Sequence, residues 1–210
     1  YDKNLISKGG GVFSRKLKSI DLTAEMKILF GLDDDITSLA PNDLIQAILT
    51  SHVDLLWFGG IGTYVKSKSE SNGAAGDRAN DAIRINGKDL NCKVIGEGGN
   101  LGCTQLGRIE YCLKGGMMNT DAIDNSAGVD CSDNEVNIKI LLNSIVADGK
   151  ITKKKRDALL EEMTDEVAGL VLRDNYLQTQ AISLTKTSSV LELDSFERYL
   201  DELERSASLD

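Results

Sequence analysis

The chain has 210 residues, 41% hydrophobic and 27% charged, with a net charge of −9. That length allows one or two domains with a real core. The acidic balance disfavours a broad nucleic-acid or acidic-membrane footprint, which needs a basic surface. No apolar run approaches the ~20 residues of a membrane helix, and no signal-peptide pattern opens the chain. It begins mid-pattern at Tyr1-Asp2-Lys3, without Met, as expected of a piece of a longer protein.

In chain order, Thr23 to Phe30 is expected to form a short helix. Pro41 and Asn42 start another, with Leu44, Ile45 and Ile48 on one side. Val53 to Phe58 is a short, mostly apolar run ending at Gly59-Gly60, which suits a buried parallel strand. Ser67 to Gly76 reads as a loop, and Asn86-Gly87 as a turn. Lys93-Val94-Ile95 reads as a second buried strand, ending in Gly96-Glu97-Gly98-Gly99-Asn100. A helix is expected from about Thr104 to Lys114, with Leu106, Ile109 and Leu113 on one face and Gly115-Gly116 stopping it. Strand, glycine turn and helix in that order form the βα unit of a doubly wound fold.

From Ser132 the pattern turns helical. Ser132-x-x-Glu135 reads as a capping box opening a helix that carries Val136, Ile140, Leu141 and Ile145. A second helix is expected over about Thr152 to Arg173, a third near Leu177 to Leu184, and a last one to about Arg205. The basic run 153–156 reads as a solvated helix face. The expected fold class is therefore α/β: a partial Rossmann-like parallel sheet over residues 1–130, followed by an all-helical segment over 131–210.

Cysteines occur at 92, 103, 112 and 131, with no C-x-x-C pair, and His52 is the sole histidine. A zinc site built on clustered Cys and His is not expected, and no motif flags a catalytic partner for His52. The thiols are expected to be reduced, with Cys103, Cys112 and Cys131 in packing roles.

The acidic stretch Asp121 to Glu135 admits three readings: a calcium loop, a nucleotide-contacting turn or a plain surface loop. Setting Glu135 at the last position of a calcium loop puts Val129 where the turn demands Gly, and Gly128 brings no side-chain ligand. For a nucleotide, Asn100 and Asn125 each offer an amide donor and acceptor. A helix starting at Ser132 would add free N–H groups. Neither glycine cluster matches G-x-G-x-x-G. Each residue also has a plainer reading: Ser132 and Glu135 as caps, Asn100 and Asn125 as turn residues, and Asp121, Asp124, Asp130 and Asp133 as solvent-facing or helix-start acids.

Longer strings are more specific. Gly96-Glu97-Gly98-Gly99-Asn100 resembles the E-G-A-N turn of amino-acid dehydrogenases, and Asn125 to Glu135 resembles their N-A-G-G-V-x-x-S-x-x-E segment. Asp54 to Gly60 is similar to their strand ending in P-A-A, with Gly replacing Ala. Ile6 to Phe13, Gly76 to Arg84 and Asp174 to Thr179 narrow the resemblance to the large bacterial NAD-specific glutamate dehydrogenases, across nearly the whole chain. The resemblance implies NAD as cofactor and oxidative deamination of L-glutamate to 2-oxoglutarate and ammonia.

Carried over by position, it implies Gly59 and Gly60 by the adenosine part of the cofactor. Gly98, Gly99 and Asn100 would approach the nicotinamide ribose. Asn125 would bond the carboxamide, and Ser132 the substrate side-chain carboxylate. It implies no catalytic residue and no metal ligand within the chain. The phosphate-binding glycines, the ribose-binding acid and the catalytic lysine and aspartate would lie upstream of Tyr1. The expected partners are the remaining domains of a cytoplasmic parent enzyme, itself a homo-oligomer. The chain alone is expected to be inactive. The competing class is a non-catalytic acidic α/β interaction module. The string Gly76 to Arg84 has no physical role at this level.

Overall fold

A computed structural model describes residues 2–206 and divides the chain into two units, Tyr1–Asn125 and Ser126–Asp210. The first unit is α/β. Strand β1 (Ile20–Asp21) pairs antiparallel with β2 (Ser38–Leu39), and α1 (Ala24–Phe30) lies between them in sequence. Thr23 Oγ1 accepts the Met26 N–H at 3.2 Å and caps α1. Helix α2 (Pro41–Leu49) opens on a proline, which costs nothing where no N–H is needed. Its Leu44 is buried, whereas Ile48 is exposed.

The main sheet comes next. Strand β3 (Leu55–Phe58) leads into β4 (Val65–Lys66), the short helix α3 (Asn72–Ala75) and β5 (Ile85–Asn86). Then follow β6 (Val94–Glu97), α4 (Gln105–Leu113), β7 (Met117–Met118) and α5 (Asp121–Asp124). The order is β3-β6-β7, parallel throughout, with Leu55 opposite Val94 and Phe58 opposite Glu97. A second parallel pair joins β4 to β5. Phe58, Val65, Leu90, Ile95 and Tyr111 form the heart of the core. The strands at 55–58 and 94–97 are thus where the apolar runs place them, but β3 is not buried as expected: Leu55 and Trp57 are exposed and only Phe58 is buried.

The shared face of Leu106, Ile109 and Leu113 is not the one that helix α4 buries. Leu106, Ile109 and Leu113 point outward, Leu113 at 84% exposure, while Gly107 and Tyr111 are buried. The cause is close approach. A Cβ on Gly107 would stand 2.9 Å from the Lys66 carbonyl carbon. One turn later the Tyr111 hydroxyl donates to the Cys92 carbonyl oxygen at 3.0 Å. A glycine and a tyrosine fix the packing, and the aliphatic stripe follows outward.

The second unit is helical: α6 (Ser126–Ala147), α7 (Lys153–Glu162), α8 (Thr164–Ser188) and α9 (Leu193–Arg205). Leu142 of α6 and Val171 of α8 are buried. Thr152 Oγ1 caps α7 by accepting the Lys155 N–H at 3.2 Å. The single helix expected over 152–173 is broken at Met163, and its second part runs on into the helix expected near Leu177.

A larger correction concerns Ser132. Helix α6 begins at Ser126, so Ser132 sits in the body of the helix, exposed, and the capping box is not formed. Glu135 instead pairs with Lys139 one turn later. The earlier start is supported locally. Asn134 Nδ2 bonds the Asp130 carbonyl oxygen at 3.0 Å and its Oδ1 at 3.1 Å, and Asn175 Nδ2 donates to Ser126 Oγ at 2.9 Å. A helix over 126–135 also rules out the calcium-loop reading. Among the described residues no helix is long and apolar enough to cross a membrane.

Candidate functional site

The three parallel strands end on one edge, and each carboxyl end runs into a segment singled out by sequence. Strand β3 ends at Gly59-Gly60, β6 at Gly98-Gly99-Asn100, and β7 leads through Asn119 and Thr120 into α5 and Asn125. The carboxyl edge is where open parallel sheets bind ligands.

The two glycine turns touch. A Cβ on Gly99 would lie 2.6 Å from both C and O of Gly60, so this contact requires glycine. A Cβ on Gly98 would lie 2.5 Å from the indole of Trp57, which therefore lies close over the turn. Asn125 Nδ2 donates to Asn100 Oδ1 at 2.7 Å. Among the described residues, no further partner is found for Asn125 Oδ1 or Asn100 Nδ2. That leaves one acceptor and one donor together on this edge. Gly59, Gly60, Gly98, Gly99, Asn100 and Asn125 are thus brought together within the first unit. Ser132 lies in the second.

Four residues to which sequence reading gave no part in the site hold the turn in place. Glu97 is fully buried and accepts the Cys103 N–H at 3.0 Å. Arg108 Nε donates to Glu97 Oε2 at 2.9 Å, and its Nη2 reaches Glu97 Oε1 and Asp121 Oδ1, each at 3.0 Å. Asp121 Oδ2 accepts the Leu101 N–H at 2.8 Å, and Asp124 Oδ2 accepts the Glu97 N–H at 2.9 Å. Asp121 and Asp124 are therefore turn-holding groups and not simple surface acids. Leu101 takes a left-handed backbone, φ 63°, a conformation that persists only where neighbours enforce it. Sequence carried one clue. Glu97 shares a strand face with Ile95, and an acid on a buried face requires a buried cation.

The electrostatics follow. Burial opposes the charge on Arg108, but the hydrogen bond and charge of Glu97, with Asp121 beyond, hold its guanidinium more firmly protonated than usual. Burial, reinforced by the Glu97 charge, pushes the Cys103 thiol well above its ordinary range. Cys103 is an inert packing group, whereas Cys112 and Cys131, expected to pack, are exposed. Their small, weakly polar side chains tolerate a helix surface as well as a core.

Comparison with known proteins shows the family. Residues 1–185 match the family described as bacterial NAD-glutamate dehydrogenase, catalytic domain. The chain is 54% identical over 210 residues to the NAD-specific glutamate dehydrogenase of Halomonas elongata, covering 100% of this chain and 13% of that protein. It is 55% identical over 210 residues to the Pseudomonas aeruginosa protein of the same name, again covering 100% of this chain and 13% of the relative. The Mycobacterium tuberculosis counterpart is 54% identical over 193 residues, 90% of this chain and 12% of that protein. The chain thus spans about an eighth of the length of these relatives, and it belongs to the bacterial NAD-glutamate dehydrogenase family, within the catalytic domain.

Proposed function

We propose that the chain forms the nicotinamide side of an NAD site in a glutamate dehydrogenase, the enzyme that oxidatively deaminates L-glutamate to 2-oxoglutarate and ammonia. Residues 1–130 are the later part of a Rossmann-like domain on this reading, and residues 131–210 begin a helical region. The observation that carries it is the Asn100–Asn125 amide pair at the joined glycine turns. Its unused donor and acceptor complement a primary carboxamide, the exocyclic group of nicotinamide.

The charge at this edge argues in the same direction. Glu97, Asp121 and Asp124 surround the second turn. Such a turn repels a pyrophosphate and favours the cationic ring of oxidised nicotinamide. Gly98, Gly99 and Asn100 take the ribose next to that ring, while Gly59 and Gly60 face the adenosine part. When bound, the cofactor supplies the hydride acceptor. The chain's own groups orient the ring and exclude water behind it. Ser132 accepts a separate role, donating its hydroxyl to the side-chain carboxylate of glutamate.

Asn125→Asp in the intact enzyme tests the cofactor reading. The change keeps the shape, removes the donor to Asn100 and adds a like charge to an acidic edge. The Asn125–Asn100 bond is exposed in the chain itself; with a nicotinamide covering it, leaving one polar group unpaired costs about 1–3 kcal/mol, or roughly tenfold or more in the affected kinetic constant. The Michaelis constant for NAD should rise or kcat fall by that factor. Wild-type values of both would remove Asn125 from the site.

A further inference from the structure

The string Gly76 to Arg84, left without a role by sequence, is attached to the first glycine turn. Arg84 is wholly buried, its side chain at 0% exposure. Its Nε donates to the Thr63 carbonyl oxygen at 2.8 Å, and one Nη donates to the Asp77 carbonyl oxygen. The other Nη reaches Asn72 Oδ1 at 3.1 Å and Asp81 Oδ1 at 2.5 Å. Asp77 completes the arrangement: its Oδ2 accepts the Thr63 N–H at 2.8 Å and the Asn80 Nδ2–H at 2.6 Å.

Both backbone groups of Thr63 are thus held by one strap, the N–H by Asp77 and the C=O by Arg84. Thr63 is buried and follows directly on Gly59-Gly60-Ile61-Gly62. Gly62 has φ 148°, and a Cβ there would meet Asn80 Nδ2 at 2.8 Å, so the strap also packs against the turn itself. The turn enters from a fixed strand, β3, and leaves through a clamped residue. Between these points Gly60 meets Gly99.

We propose that Arg84, acting with Asp77 on Thr63, is a positioning residue for the cofactor: the clamp keeps Gly59 and Gly60 seated against Gly99 at the carboxyl edge. This rests on reading that edge as the NAD site. The Asn80 amide, then the Thr63 N–H, hold the Asp77 carboxyl below the usual carboxylate range, as a fully charged acceptor requires. Arginine suits the task because its planar fork serves several acceptors at fixed angles; a lysine ammonium on a flexible stem does not.

The test is steady-state kinetics of the intact enzyme with Arg84→Lys, Asp77→Ala and the double variant, with Gly99→Ala as a reference for the turn. Arg84→Lys keeps the buried charge but cannot span four acceptors. Asp77→Ala sits in a partly exposed segment and provides a second, milder probe if Arg84→Lys does not fold. Each single change should raise the Michaelis constant for NAD by about tenfold, with that for glutamate within about twofold of wild type. Because both act on Thr63, the double variant should be no worse than the poorer single.

A melting temperature that falls while the NAD constant stays at its wild-type value overturns the clamp, as do equal rises for NAD and glutamate. Gly99→Ala separates the two ideas. If it raises the NAD constant and the strap variants do not, the clamp alone is wrong. If Gly99→Ala has no effect either, the cofactor reading of the edge is wrong and the clamp falls with it.

Discussion

Arg108 is predicted to carry a large share of the stability of the turn it holds. It is the only cation hydrogen-bonded to Glu97 among the described residues, and Glu97 has no exposure to water. Removing one partner of a buried ion pair leaves the other charge uncompensated and costs about 3–5 kcal/mol. Arg108→Met should therefore destabilise the chain severely in urea titration. Adding Glu97→Gln removes the orphaned charge and keeps an acceptor for the Cys103 N–H. The double variant should then be more stable than Arg108→Met alone. The reverse order would mean that the ion pair does not hold the turn. The same pair explains why Leu101 tolerates its left-handed backbone: its N–H is fixed by Asp121, and Asp121 is fixed by Arg108.

At the scale of elements, the start of α6 decides what can be learned from Ser132. A capping serine changed to alanine costs about 0.5–2 kcal/mol. An exposed serine inside a helix changed to alanine gains a few tenths, about 0.3–0.5 kcal/mol, by helix propensity. Ser132 is of the second kind. Ser132→Ala should leave the melting temperature unchanged or slightly raised, so any loss of catalytic efficiency with glutamate in the intact enzyme reports on the substrate directly. Unchanged efficiency removes Ser132 from the substrate site. A clear drop in melting temperature instead restores the cap.

The elements that sequence placed correctly share a cause. Strands β3 and β6 are short apolar runs stopped by glycine, and α7 is opened by Thr152, so local chemistry decides them. What sequence misplaced or left open was decided by partners distant in the chain. The inward face of α4 depends on Lys66 and Cys92, and the start of α6 on Asn175. For the site, the glycines and amides were singled out by the strings that resemble the family, and the fold brings them to one edge. The carboxylates and Arg108 that hold them were not, since an Asp that accepts a backbone N–H reads the same as one facing water.

For the chain as a whole, the question is how much of a dehydrogenase it can supply. Deaminating glutamate requires a nicotinamide held within about 3–3.5 Å of the substrate carbon and a base for the substrate ammonium. The carboxyl edge offers neutral amides for orientation. Its acids are occupied: Glu97 faces Arg108, Asp121 holds Arg108 and the Leu101 N–H, and Asp124 holds the Glu97 N–H and the Asn119 amide at 3.1 Å. A carboxylate bound to its own turn cannot also take a substrate proton without releasing that turn. On the proposed reading the base comes from outside this edge; the chain spans 13% of the length of its relatives. The 210-residue chain alone should form no NADH from glutamate and NAD above background, even at high protein concentration. Steady turnover that rises in proportion to the purified chain and disappears in the Asn125→Asp variant would show that one of these occupied acids does release its turn, and would move the catalytic base into the carboxyl edge.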